Sequence, residues 1–281
     1  MLIHHYTNIE SLAMILSTRK IRFNRLDRMD DLEEGRVEAQ GVPLGKYTYV
    51  SCWTEEEEES IPLWNMYAGK EMGVRISLPQ DMFQDYSFLD GFCGLDVSEK
   101  CQSMDSNPIS LIWKIPGSEY KNKNYLIIPI ESNKPTTFYQ RIQYVDDVLS
   151  LTKQLATRVD EEVECFYNLD WCNVGTLKHR RWEFQKESRF LIRIIPTNGE
   201  ISLFKPQEWL AKLKDAFDTK MEPHFETYDL SLKEEVFKQL EVTLSPSITM
   251  GQRIIVESLL NQYAPNAIIA ESSLKQYVQM K

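Results

Sequence analysis

The apolar segments of this chain are short and irregularly spaced, and they lack the steady strand-helix-strand rhythm that builds a doubly wound parallel sheet. Residues 2–6 (LIHHY), 21–23 (IRF), 47–53 (YTYVSCW), 73–78 (GVRISL) and 186–195 (KESRFLIRII) read as strands, the last closed by Pro196. A helix is predicted from Ile9 to about Arg19–Lys20, because Ile9, Leu12, Ala13 and Leu16 share one face and Thr7 or Asn8 can cap its first turn. Pro62 opens a second helix, and others are predicted at 145–169 (one or two), 206–217, 231–240 and 252–263, with strands near 241–244 and 267–270. Such a mixture argues for an α+β fold with a mixed or antiparallel sheet and flanking helices.

No repeat or low-complexity linker divides the 281 residues, so one elaborated domain spanning 1–281 is expected. Between about 80 and 135, Gly, Asp, Asn, Ser and Pro break the pattern and leave two apolar pieces, Leu111–Ile115 and Tyr125–Ile130. That stretch reads as an insertion or subdomain. The net charge of −10 gives no overall electrostatic footprint for nucleic acid or an anionic membrane. No run approaches the ~18 apolar residues of a membrane span, the first residues lack signal-peptide features, and five scattered cysteines suit reduced thiols; a cytoplasmic location is expected.

Several chemistries find no motif. There is no GxGxxG after a strand, no GxxxxGK[ST], no GxSxG and no HExxH, and Cys165 and Cys172 are too far apart for a zinc knuckle, so no metal is expected. Three features remain. His5 ends a strand just before a helix, where it can meet a ligand or simply a loop carbonyl. Trp53, Trp64 and Tyr67 surround the connection that begins at Ser51, either to stack a planar ring or as ordinary core. Residues 178–189 (KHRRWEFQKESR) are densely charged ahead of an apolar strand; if extended throughout, Glu183, Gln185, Glu187 and Arg189 point one way. Asp27 to Glu34 reads as a loop or an exposed helix. The run Glu55–Glu59, and the cluster Arg19, Lys20, Arg22, Arg25 and Arg28, read as solvated charge.

His5-Tyr6-Thr7, residues 16–23 (LSTRKIRF) and Val50-Ser51-Cys52-Trp53 resemble a bacterial family catalogued as domain of unknown function 2971. Residues 63–68 (LWNMYA) with Gly73-Val74, then Lys178, Trp182, Glu183 and 186–189 (KESR), and finally 270–274 (AESSL), fit its later blocks. A strand ending in His-x-[Ser/Thr] before a helix and a short strand also resembles the start of the ADP-ribosyltransferase fold, as in poly(ADP-ribose) polymerases and RNA 2′-phosphotransferases. That resemblance implies an enzyme cleaving the nicotinamide–ribose bond of NAD, with a small-molecule nucleotide as substrate and a protein or nucleic acid as acceptor, in a defence or toxin setting. It implies that His5 and Thr7 hold the adenosine ribose or the nicotinamide amide. Tyr67 or Trp64, after the Ser51 strand, would stack the nicotinamide. Glu187, preferred over Glu183, would favour the oxocarbenium-like state. Tyr6 stands where that fold usually has Gly, and would point away from the cleft or narrow it. The departure equally fits a non-catalytic binding module on a degenerate version of the fold.

Overall fold

The computed structural model describes residues 1–38, 41–68, 72–87, 112–116, 119, 124–128, 138–160, 165–169, 173–199 and 206–278. β1 (Leu2–Asn8) runs directly into α1 (Ile9–Thr18), whose first turn is capped by Asn8 Oδ1 accepting from the Ser11 N–H at 2.7 Å. Arg19 ends the helix in a left-handed conformation (φ 58°) and turns the chain into β2 (Lys20–Arg25). A 3-10 turn and α2 (Leu32–Gly35) lead to β3 (Thr48–Thr54), α3 (Ile61–Tyr67) and β4 (Gly73–Pro79). Gly73 sits against α3's end so closely that an added Cβ would lie 2.5 Å from the Ala68 Cβ.

The middle of the chain is built of short pieces. β5 (Tyr86–Ser87) pairs with β6 (Ile112–Trp113), while β7 (Tyr125–Ile127) and β8 (Tyr139–Arg141) both lie along the later strand β13 (Glu187–Pro196). β9 (Gln143–Val145) pairs in parallel with β12 (Leu177–His179). After α4 (Val148–Thr152), β10 (Ala156–Asp160) and β11 (Cys165–Leu169) form an antiparallel pair. The last quarter supplies α5 (Pro206–Asp218), β14 (Thr227–Ser231), β15 (Glu241–Leu244), α6 (Met250–Tyr263) and β16 (Ile268–Glu271). α6 starts with a reciprocal capping box between Thr249 and Gln252.

Ten of these strands join one mixed sheet, so the fold is α+β. β13 pairs with β3 from Glu187 opposite Thr54 to Arg193 opposite Thr48. β1 pairs with β4 over its whole length, and β15 and β16 continue beyond β4. The free edge of β3 is shared. β2 takes its start (Asn24 opposite Val50, Arg25 opposite Tyr49), and β1 meets it only at His4 opposite Thr54. Between those points Ser51, Cys52 and Trp53 have no strand beside them on that edge among the described residues, and the sheet is split there. The main core, which includes Ile3, Leu12, Phe23, Trp53, Ile76 and Phe190, covers one face near the split. Among the described residues no helix is long and apolar enough to cross a membrane.

Two sequence expectations need correction. Residues 145–169 are not a long helix: Val148–Thr152 is helical, a 3-10 turn follows, and Ala156–Asp160 and Cys165–Leu169 are the strands β10 and β11. The segments ATRVD and CFYNL carry β-branched and aromatic residues, and in runs this short apolar spacing alone does not separate strand from helix. Residues 231–240 form only a 3-10 turn at Glu234–Lys238, because Leu232 is bridged to Phe83 and cannot enter a helix. Within 80–135, Tyr125–Ile127 belongs to the main sheet through β13; residues 88–111 and 129–135 lie outside the described residues.

Candidate functional site

A cavity of about 690 Å³ lies at the split. β1, the first turns of α1, β2 and residues 50–54 of β3 line it, together with Tyr67, Lys178, Gln185 and Glu187. Residues opposite each other across paired strands share a face. Glu187, Thr54, His4 and Ser77 therefore lie on one face, and His5, opposite Ile76, lies on the other. The cavity draws on both faces. It brings together His5, Thr7, Ser51, Tyr67 and Glu187, all singled out in the sequence, although His5 and Glu187 reach it from opposite sides of the sheet.

His5 Nδ1 lies 2.7 Å from the Cys52 carbonyl oxygen, on the unpaired edge of β3. A carbonyl only accepts, so Nδ1 carries the proton and Nε2 keeps its lone pair. Burial lowers the imidazole pKa below its ordinary value, against the opposing pull of that carbonyl. Ser51 Oγ accepts from the Trp53 indole N–H at 3.0 Å, and the Trp53 ring stands 5.2 Å from His5. Cys52 is beside Glu187; burial first, then that carboxylate, push its thiol well up, so it stays protonated at neutral pH.

Trp64 does not line the cavity and takes the second of its two expected places, as ordinary core. The ring is fully buried, meets Tyr6 edge-on at 5.0 Å, and donates its indole N–H to Glu59 Oε2 at 2.9 Å. Tyr6 and Trp64 make a small separate core with Leu63 and Ala68. Tyr6 is thereby drawn toward α3, its hydroxyl accepting the Ser60 N–H at 2.9 Å. The five-glutamate run is not simply solvated either. Glu59 also accepts from Ser272 Oγ at 2.6 Å and from the Ser273 N–H and Oγ at 2.6 and 2.8 Å, fastening the 272–278 segment to α3. Glu55 accepts from Tyr139 and Ser188 and pairs with Arg141. Only the middle three glutamates are exposed.

The cavity's deep wall is a buried ionic network. Residues 178–189 are not extended throughout: after β12 a 3-10 turn over Arg180–Gln185, capped by His179, ends at Lys186 with φ 45°. The turn leaves Glu183 exposed and seats Glu187 as the first residue of β13. Glu187 Oε1 accepts from Arg189 Nε at 2.5 Å, and Oε2 from Lys178 Nζ at 2.9 Å and Arg189 Nη2 at 3.0 Å. Arg189, fully buried, turns its other side to Glu34, whose two oxygens accept at 2.8 and 2.9 Å. Its Nη1 also reaches the Gly175 carbonyl at 3.1 Å. Two carboxylates and two cations thus cancel. Glu34, in α2, corrects the expectation that the Asp27–Glu34 stretch is a loop or an exposed helix. The sequence signal for it was Arg189 itself, since a charge on an otherwise apolar strand demands a buried partner.

Lys178 also donates to Gln185 Oε1 at 2.8 Å, and Gln185 Nε2 donates to Tyr67 Oη at 2.7 Å. Tyr67 therefore accepts from inside and keeps its own proton to donate. Burial, then Asp30, push that hydroxyl's pKa up. Burial raises the Glu187 carboxyl, but Arg189 and Lys178 outweigh it and hold its pKa at about 2. A carboxyl depressed from its ordinary 4.5 stabilises the fold fully above that pH and loses the contribution as pH falls toward 2. Urea midpoints should fall as pH is lowered through that window, with the raised pKa of the neighbouring Glu34 opposing part of the change. Glu187→Gln should remove the Glu187 part of the slope.

The N-terminal arginines are occupied. Arg22 pairs with Asp229, Arg25 with Asp27, Arg28 with Glu226, and Arg19 with Glu234. Among the described residues no group of three or more His, Cys, Asp or Glu converges as a metal-binding set. Comparisons with protein-family models, with curated proteins and with solved structures find no match to this chain.

Proposed function

We propose that the protein is a binding module for a small ligand of nucleoside type, held in the cavity at the split of an ADP-ribosyltransferase-like sheet. The observation that carries this reading is that both oxygens of Glu187 are already engaged by Arg189 and Lys178. A carboxylate neutralised in this way has little negative charge left to offer an oxocarbenium-like carbon. The cavity volume lies within the range usual for small-molecule sites. His5 Nε2 as acceptor and Tyr67 Oη as donor give it orienting groups of opposite kind.

The enzyme reading is favoured by a different observation: His5, Thr7, Tyr67 and Glu187 all border one cavity. The two separate in one experiment. The protein is incubated with nicotinamide riboside and with NAD, which share the nicotinamide–ribose bond, while nicotinamide release and heat of binding are measured. Binding of the riboside, without nicotinamide release from either compound, is expected. Release that disappears in Glu187→Gln would replace the binding module with a glycohydrolase or transferase.

A further inference from the structure

We propose that this cavity selects a cationic or uncharged nucleoside and disfavours one that carries phosphate, with Asp30 as the residue that reads the positive charge. This deepens the ligand-binding reading and rests on it. Six carboxylates and four cations line the cavity. Three of those cations already have an ion-pair partner: Arg22 with Asp229 and Arg28 with Glu226 at the surface, and Lys178 with Glu187 in the interior. Glu34 is held by Arg189 from behind the wall. Among the described residues that leaves Glu10 and Asp30 without an ion pair, against Lys20, which is exposed at the start of β2.

A phosphate needs convergent donors, most effectively a free Arg or Lys or the N–H groups of a glycine-rich turn. The two arginines here each face a carboxylate in an exposed ion pair, and no phosphate-cradling glycine motif is present. A phosphate would have to pull Arg22 or Arg28 from its carboxylate and lie in a field already negative. A cation meets the opposite conditions. Asp30 and Tyr67 both line the cavity, so a ring held against Tyr67 shares that space with the Asp30 carboxylate.

His4 supplies an independent sign that something polar belongs there. Its ring lines the cavity, is only 6% exposed, and bonds Ser77 Oγ through Nδ1 at 2.8 Å, while Nε2 has no hydrogen-bond partner among the described residues. Burial, then the charge of Arg75, lower its pKa to about 4, so at neutral pH it adds no positive charge. An unpartnered buried nitrogen is costly unless a ligand group pairs with it.

The test uses three probes of one ring and sugar: nicotinamide riboside, which is cationic, nicotinamide mononucleotide, which adds a phosphate, and NAD. Dissociation constants are measured by calorimetry at low ionic strength for wild type and Asp30→Asn. Asp30 is exposed, so the substitution leaves the fold intact. The riboside should bind at least about tenfold tighter than the mononucleotide, and Asp30→Asn should weaken the riboside about tenfold but the mononucleotide less, because the substitution also removes the repulsion between Asp30 and the phosphate. Tighter binding of either phosphorylated probe, or a riboside affinity unmoved in Asp30→Asn, overturns the charge selection and leaves the binding module standing. Absence of binding for all three overturns both.

Discussion

Arg189→Met should cost about 3–5 kcal/mol of folding stability, a large share of the roughly 5–15 kcal/mol that holds a domain together. Arg189 is fully buried and donates to Glu34, Glu187 and the Gly175 carbonyl. Methionine fills much of the volume but leaves two buried carboxylates facing Lys178 alone. One of them must take up a proton or draw in water, and either costs more than the shape change. The urea midpoint reads the loss directly. Adding Glu34→Gln to Arg189→Met restores charge balance, since Lys178 and Glu187 remain as a pair at 2.9 Å. The double variant should therefore be more stable than Arg189→Met alone. Strict additivity, or a loss below about 1 kcal/mol, would show that the four charges do not act as one unit.

Trp64→Ala should cost a similar amount, about 3–5 kcal/mol, and yet leave ligand affinity unchanged wherever the protein is still folded. The side chain is fully buried against Tyr6, and its indole is one of four donors on Glu59. Its loss opens a void beneath α3 and loosens the clasp on the 272–278 segment. Tyr67→Phe should behave in the opposite way. Removing the hydroxyl leaves the Gln185 amide without that partner, at about 1–3 kcal/mol, and deprives the ligand of a donor. Chemical denaturation and calorimetry on the two variants separate the roles. A Trp64→Ala protein that is stable but has lost ligand binding would return Trp64 to the site.

Much of the fold was legible because it depends on neighbours in sequence. The apolar face of α1 and its Asn8 cap, the Pro62 start of α3, the strand ended by Pro196 and the helix near 252–263 are set by local spacing and local hydrogen bonds. The same local logic misread residues 145–169, where short segments become strands only because a partner lies alongside. His5 and Thr7 just before α1, Ser51 in the strand before α3, Tyr67 in α3 and Glu187 at the start of β13 could be named as candidates, and they border one cavity. Trp64 could not be told from Tyr67 by spacing. Three residues on a helix separate them, and that rotation places one in the core and one at the cavity.

What the sequence determined on its own is therefore the class of fold, the order of its principal elements and a short list of polar residues at strand ends, because period, capping and chain breaks act over a few residues. Only the tertiary structure decided what those residues do. The split exists because β1 and β2 leave β3 at different points, a matter of register between distant segments. Glu187 is neutralised because Lys178, Arg189 and Glu34 converge on one buried volume, the last from a segment 153 positions away. A charge in the interior is defined by what surrounds it, and no local pattern carries that information.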